Sequence, residues 1–275
     1  MGAGKWLRTS VYNLRLAAYH QARERLRQSL AIARQLKHQA QISFCLHALS
    51  EVALGLGDYA ETKRLAEEAL AVRRQTGGSP VTILNFLGKV ALEQGKLTEA
   101  REYQAEALAI ARANKQVVSG NVAHPLEGLG LVAHRMGEPL AAREYLQESL
   151  EICRAIDHKW GMADCLNGLG RIATDLGHYK LAKQLLQESL AGYVDIGKSD
   201  EAALLMRNQG WLAECLADYE KAKRLYQKSY NESKQTQEKS KRLSALADLG
   251  RVTIHLGEHQ AAEQRQLDVR QKESR

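Results

Sequence analysis

The sequence predicts an all-α protein, an α-solenoid of about seven helix-turn-helix units. Three observations carry this. Similar stretches recur along the chain at steps of about 40 residues, from "AAYHQARERLRQSL" through "GDYAETKRLAEEAL", "GEPLAAREYLQESL" and "GHYKLAKQLLQESL" to "ADYEKAKRLYQKSY". The chain of 275 residues holds only 3 Pro, and its commonest residues are good helix formers. Apolar residues fall at helical spacing, with no convincing strand pattern.

The units align on a turn column of Tyr19, Tyr59, Leu97, Pro139, Tyr179, Tyr219 and His259. Gly57, Gly95, Gly137, Gly177 and Gly257 stand just before it. Glycine takes the left-handed conformation that ends a helix without steric cost. Each unit is therefore expected to run helix A, glycine turn, helix B. On helix B two small-residue columns lie about two turns apart: Ala22, Thr62, Ala100, Ala142, Ala182, Ala222 and Ala262, then Ser29, Ala69, Ala107, Ser149, Ser189 and Ser229. Small side chains there let a neighbouring helix approach closely. Helix A carries the matching feature in Gly88, Gly130, Gly170, Gly210 and Gly250, with Ser50 in that column of an earlier unit. A mid-helix glycine costs up to ~1 kcal/mol relative to alanine, and is tolerated where a partner helix crosses too closely for a side chain. One such hairpin cannot bury its apolar face alone, so neighbouring hairpins stack. The expected units are 3–38, 39–79, 80–119, 120–159, 160–199, 200–239 and 240–275, read as a single domain over 1–275. The polar end "RQLDVRQKESR" suits a solvating cap or a frayed tail, and the imperfect first unit suggests a part of something longer.

The repeated Leu-x-x-Leu-Gly, Gly-x-Tyr-x-x-Ala and Ser/Ala-Leu positions resemble the tetratricopeptide repeat (TPR) over nearly the whole chain. The resemblance implies a right-handed superhelix. Its units are longer than the usual ~34 residues, in the style of the C-terminal sensor arrays of bacterial STAND proteins, the signal-transduction ATPases with numerous domains. In such arrays helices A line a concave wall that binds a protein or peptide. Positions resembling the family's ligand-facing ones are His47, Glu51, Asn85, Lys89, His124, Glu127, His134, Asp164, Asn167, Arg171, Arg207, Trp211, Glu214 and Arg251. Asparagine beside a cation is what the family uses to grip a peptide backbone or a carboxylate. Arginine offers a bidentate, charge-assisted bond to such groups. Trp211 is a candidate apolar anchor. His124, Glu127, Asp164 and Glu214 interrupt the basic strip and weigh against a simple terminal-carboxylate clamp.

Other functions draw less support. The net charge of +7, from 39 basic and 32 acidic side chains, is moderate, and the acids are interspersed. A nucleic-acid-associated regulator is thus a second alternative, behind a structural or oligomerisation scaffold. No apolar run is long enough for a membrane span and the start lacks a secretory core, so a cytoplasmic protein is expected. The 4 cysteines, without a CxxC pair, suit buried thiols. "GAGK" at the start lacks the rest of a phosphate-binding loop. His255 and His259 flank the expected Gly257 turn, so metal is not expected, and no Ser-His-Asp or Cys-His set is recognisable. The sequence therefore predicts no enzyme activity and no cofactor; the partner expected is a protein or peptide, with an ATPase domain of the same full-length chain as a further candidate.

Overall fold

The computed structural model describes residues 3–114, 120–197, 202–236 and 241–257. Eleven helices are bounded in full: α1 (Ala3–Gln35), α2 (Gln39–Gly55), α3 (Tyr59–Gln75), α4 (Val81–Glu93), α5 (Leu97–Ala113), α6 (Gly120–Arg135), α7 (Pro139–Ala155), α8 (Lys159–Asp175), α9 (Tyr179–Asp195), α10 (Ala202–Cys215) and α11 (Tyr219–Thr236). Residues 241–257 are also helical and form α12. The chain divides into two compact units, Met1–Asp157 and His158–Arg275, with the division falling between two hairpins.

In the first unit α2/α3, α4/α5 and α6/α7 are antiparallel hairpins, with α1 packed on α2. In the second, α8/α9 and α10/α11 pair in the same way, and α10 rests on both α8 and α9. Val252 of α12 packs with Ala213, Ala222 and Tyr226. The largest apolar cluster of the first unit joins Leu30, Leu46, Leu65, Leu84 and Leu87 from successive helices. Helices here are held by their apolar stripes rather than by propensity alone.

The turns follow the glycine column. Gly57, Gly95, Gly137 and Gly177 have φ of 79°, 75°, 79° and 77°. Each is followed by an amide that bonds back to an alanine carbonyl, at 2.9, 2.9, 2.9 and 2.8 Å for Asp58 to Ala53, Lys96 to Ala91, Glu138 to Ala133 and His178 to Ala173. This six-residue closure satisfies the last carbonyls of helix A. The fifth hairpin makes the same bond, Asp218 to Ala213, although Ala217 stands in place of glycine and takes φ 58°. Two turns expected from the sequence differ. The first repeat is one unbroken helix, α1, because Ala17 and Ala18 stand where the glycine turn would be and favour helix. Gly257 is helical, and the residues after it lie outside the described ones.

Four mid-helix glycines meet a side chain sixteen residues on, in helix B; the residue sixteen after Gly250 lies outside the described ones. A Cβ on Gly88 would lie 2.4 Å from Gln104, on Gly130 2.6 Å from Leu146, on Gly170 2.8 Å from Leu186 and on Gly210 2.6 Å from Tyr226. No real Cβ occupies such a position without displacing the partner. Where the column holds Ser50, the residue opposite in sequence is Ala66, so volume has moved from one helix to the other. The small column of helix B is equally tight: Thr62, Ala100, Ala142, Ala182 and Ala222 are all 0% exposed.

The serine column does more than make room. Ser149, Ser189 and Ser229 donate through Oγ to the carbonyls of Ala123, Ala163 and Ala203, at 2.8, 2.8 and 2.7 Å. In α2/α3 the bond is reversed: Ser43 of helix A donates to the carbonyl of Ala69 of helix B at 3.0 Å. The hydroxyl has changed helix while the cross-link stays.

The glycine fit predicts a specific non-additivity. Gly170→Ala should destabilise the protein by about 1–3 kcal/mol through overpacking. Leu186→Ala alone should cost about 2–5 kcal/mol through cavity formation. In urea denaturation the double variant should lose less than the sum, because the new methyl enters the space the leucine vacates. Strict additivity would show that the two side chains do not compete for that space.

Candidate helix-A binding face

Helices α2, α4 and α6 place the expected face of the first unit. His47 of α2 packs edge-on against Phe86 of α4, centroids 5.2 Å apart, and its Nε2 lies 3.9 Å from Glu51. Its Nδ1 is buried without a hydrogen-bond partner. Burial lowers the imidazole's pKa, with Arg73 adding to the effect and Glu51 opposing it. Asn85 lends its carbonyl to the Gln104 amide at 3.1 Å. Gln104, buried, lies against both Gly88 and Gly128, so one polar side chain from α5 is wedged between α4 and α6. Lys89 is exposed. His124 lies 3.7 Å from Glu127, a buried residue, and His134 is half-buried. In this unit the expected residues are distributed along three helices.

The second unit gathers its residues. Arg171, Arg207, Trp211 and Arg251 line one cleft of about 410 Å³, together with Asp175, Asn208, Tyr226 and Asp248. The successive A helices α8, α10 and α12 supply all of these but Tyr226, which rises from α11. Two of the cations, Arg207 and Arg251, are held by carboxylates. Arg207 Nε donates to Asp248, and Arg251 donates to Asp248 at 2.9 Å and to Glu214. The Arg251 guanidinium also lies 4.8 Å above the Trp211 ring, a cation–π contact, while Trp211 Nε1 donates to Asp175 at 2.6 Å. Beneath them Tyr226 donates to Glu214 at 2.8 Å. Burial, reinforced by that bond, pushes the phenol well above its ordinary range. Burial works against the charge of Arg251, but its bonds to Asp248 and Glu214 hold its pKa above the usual guanidinium value.

Three of the expected residues lie off the cleft wall, two of them buried and Asp164 half-buried. Asn167 is buried and its amide oxygen accepts from Asn208 at 2.8 Å. Glu214 is buried under Tyr226 and Arg251. Asp164 accepts from the Tyr193 hydroxyl. The face is therefore not a strip of uncommitted cations: three guanidinium groups meet two lining carboxylates, with Glu214 directly below. Sequence reasoning missed Asn208 and Asp248. The signal was present, since the column that reads Gly128 and Gly168 in earlier hairpins changes to Asn208 and Asp248, where the polar network forms.

Among the described residues, no helix is long and apolar enough to cross a membrane. Hairpins stacked through tight helix–helix seams, with a polar cleft on their first helices, define a helical-repeat interaction module. Tetratricopeptide-repeat family models match residues 45–78, 81–113 and 121–195. The chain belongs to the tetratricopeptide-repeat family. No curated protein matches its sequence. Solved structures share the solenoid fold at low identity. BtubC from P. vanneervenii is 18% identical over 78% of this chain and 91% of its own, with TM-score 0.61. A Rap protein complexed with competence and sporulation factor is 13% identical over 90% of this chain and 74% of its own, with TM-score 0.63. A STAND protein with a tetratricopeptide-repeat sensor, from Pyrococcus horikoshii, is 16% identical over 92% of this chain and 38% of its own, with TM-score 0.57.

The His47 environment predicts a pH dependence. Its native pKa lies below the ordinary 6.5, so the unfolded chain binds the proton more readily. Its contribution to stability is present above that value and is lost as pH falls through the native pKa. The melting temperature should fall on acidification from about pH 7.5 to about pH 5, and His47→Gln should flatten that fall. An identical pH profile for the variant would contradict the burial of a neutral imidazole.

Proposed function

We propose that the chain binds a protein segment along the faces of its A helices, and that it serves as the ligand-sensing part of a larger regulator of the STAND type. The cleft of about 410 Å³ in the second unit carries the reading. It joins one large aromatic surface, Trp211, to a set of fixed hydrogen-bond donors and acceptors. Such a site favours a peptide that offers both an apolar side chain and main-chain or side-chain polar groups.

The internal pairing of Arg207 and Arg251 shapes what can bind. A lone carboxylate would have to compete with Asp248 and Glu214 for guanidinium groups already neutralised. A ligand that keeps those pairs and adds contacts to Arg171, Trp211 and Asn208 avoids that competition. The Rap protein, which was solved in complex with competence and sporulation factor, and the STAND sensor support this assignment by fold analogy. Binding would then favour one arrangement of the helices over another and pass that preference to a partner domain.

A peptide-array screen with the wild type and with Arg171→Ala/Trp211→Ala tests the site. Peptides retained by the wild type should bind the double variant at least about tenfold more weakly. Circular dichroism should show unchanged helicity, since both side chains are partly exposed. Equal retention by the two proteins would overturn the assignment of the cleft.

A further inference from the structure

The faces that the B helices turn away from helix A differ between the two units, and the difference is ordered. In the first unit successive B helices are joined by a repeated ion pair. Arg34 of α1 meets Glu68 of α3 at 2.7 Å, Arg74 of α3 meets Glu106 of α5 at 2.5 Å, and Arg112 of α5 meets Glu148 of α7 at 2.6 Å. The arginine always stands in the last turn of one helix and the glutamate in the middle of the next. A second pair, Lys63 of α3 with Glu99 of α5, joins their first turns.

In the second unit α9 keeps the glutamate position as Glu188, but the positions that face each other across α9 and α11 hold no acid. The arginine position is Val194 and the glutamate position is Lys228; the lysine position keeps Lys183, and its partner position is Lys221. Both ladder contacts are thereby removed, one by an aliphatic–cation pair and the other by two cations. Arg224 adds a further exposed charge one turn before Lys228. None of these four cations enters an ion pair among the described residues. The exposed acids on the two helices are Glu188, Glu220 and Asp195, and Asp195 is engaged by Lys159 at 3.0 Å. Beside the cations, Val194 is 72% and Leu181 48% exposed.

We propose that the α9–α11 face is a second docking surface, separate from the helix-A cleft, and that its partner is an acidic, amphipathic protein segment. The partner's carboxylates would pair with Lys183, Lys221, Arg224 and Lys228, and its apolar side chains would cover Val194 and Leu181. The chemistry favours protein over nucleic acid on two grounds. In the first unit a carboxylate, Glu99, already satisfies Lys63, the equivalent of Lys183. The strongly exposed apolar side chains here are aliphatic, whereas single-stranded nucleic acid is held by aromatic stacking platforms as well as by charge. Interspersed cations and aliphatic groups instead match the two faces of an acidic amphipathic helix.

The test uses the full chain and a fluorescein-labelled synthetic helix of about 20 residues, with Glu along one face and Leu along the other. Fluorescence anisotropy should show binding that weakens steeply between about 50 and about 300 mM salt. A variant with Val194→Arg, Lys228→Glu and Lys221→Glu rebuilds both internal pairs, and should bind the probe at least about tenfold more weakly with no loss of helicity or melting temperature. Lys221→Glu alone, on an exposed position, should weaken binding in the same direction while leaving ligands of the Arg171/Trp211 cleft unaffected. No binding of the probe to the wild type, undiminished binding to the rebuilt variant, or tighter binding of a (dT)20 oligonucleotide than of the peptide would each overturn the proposal.

Discussion

The distance between the two helices of each hairpin governs everything else in this structure. At four seams a glycine of helix A receives a side chain from helix B, and the atoms leave no room for even one methyl group. Close packing of this kind is worth more than the apolar area it buries, because a void or an overlap at the seam forfeits dispersion contacts on both sides. The serine cross-links lie on the same seams and add a direction to the packing. A hydroxyl that must meet one particular carbonyl fixes the register of the two helices, which apolar contact alone fixes only loosely. With the register set, the residues of helix A three before and one after the glycine project from one flank, about 60° and 100° round the helix from the seam.

That geometry separates two kinds of surface chemistry. On the helix-A side of the second unit, charges from successive hairpins converge and neutralise one another through Arg207–Asp248 and Arg251–Glu214. Partly buried pairs of this sort hold their geometry, since separating them would leave a desolvated charge unpaired. The cleft is thus built beforehand, with Tyr226 and Trp211 locked by the same network. On the helix-B side the charges lie on open surface, where each pair contributes little to stability. There the arrangement of signs matters more than its energy, because it decides which surfaces attract a partner and which are already satisfied.

Most of the architecture was legible in the sequence because repetition turns a weak local signal into a strong one. A single Gly-x-Tyr-x-x-Ala would mean little; its recurrence at the same offset from a glycine and two small-residue columns fixes the hairpin. The departures have local causes. Ala17 and Ala18 let α1 run on without a turn, while Ala217 accepts a left-handed conformation because the surrounding closure requires it. Alanine at two equivalent positions therefore gave opposite outcomes, and only the packing around each distinguishes them. The helix-A positions of the candidate face were legible, but their pairing was not. Arg171, Arg207, Trp211 and Arg251 do share a cleft, yet whether a cation is spoken for depends on Asp248 and Glu214, which a residue-by-residue reading of one face does not pair. The exchange of Ser149-type hydroxyls for Ser43 on the opposite helix is likewise visible only once both helices are in place.

Native-state hydrogen exchange tests the seam most directly. If glycine–side-chain contact at the hairpin seams is what the structure depends on, backbone amides flanking Gly88, Gly130, Gly170 and Gly210 should be among the slowest to exchange, opening only with global unfolding. Exchange there as fast as at the Gly57 and Gly177 turns, while apolar positions elsewhere stay protected, would contradict the account.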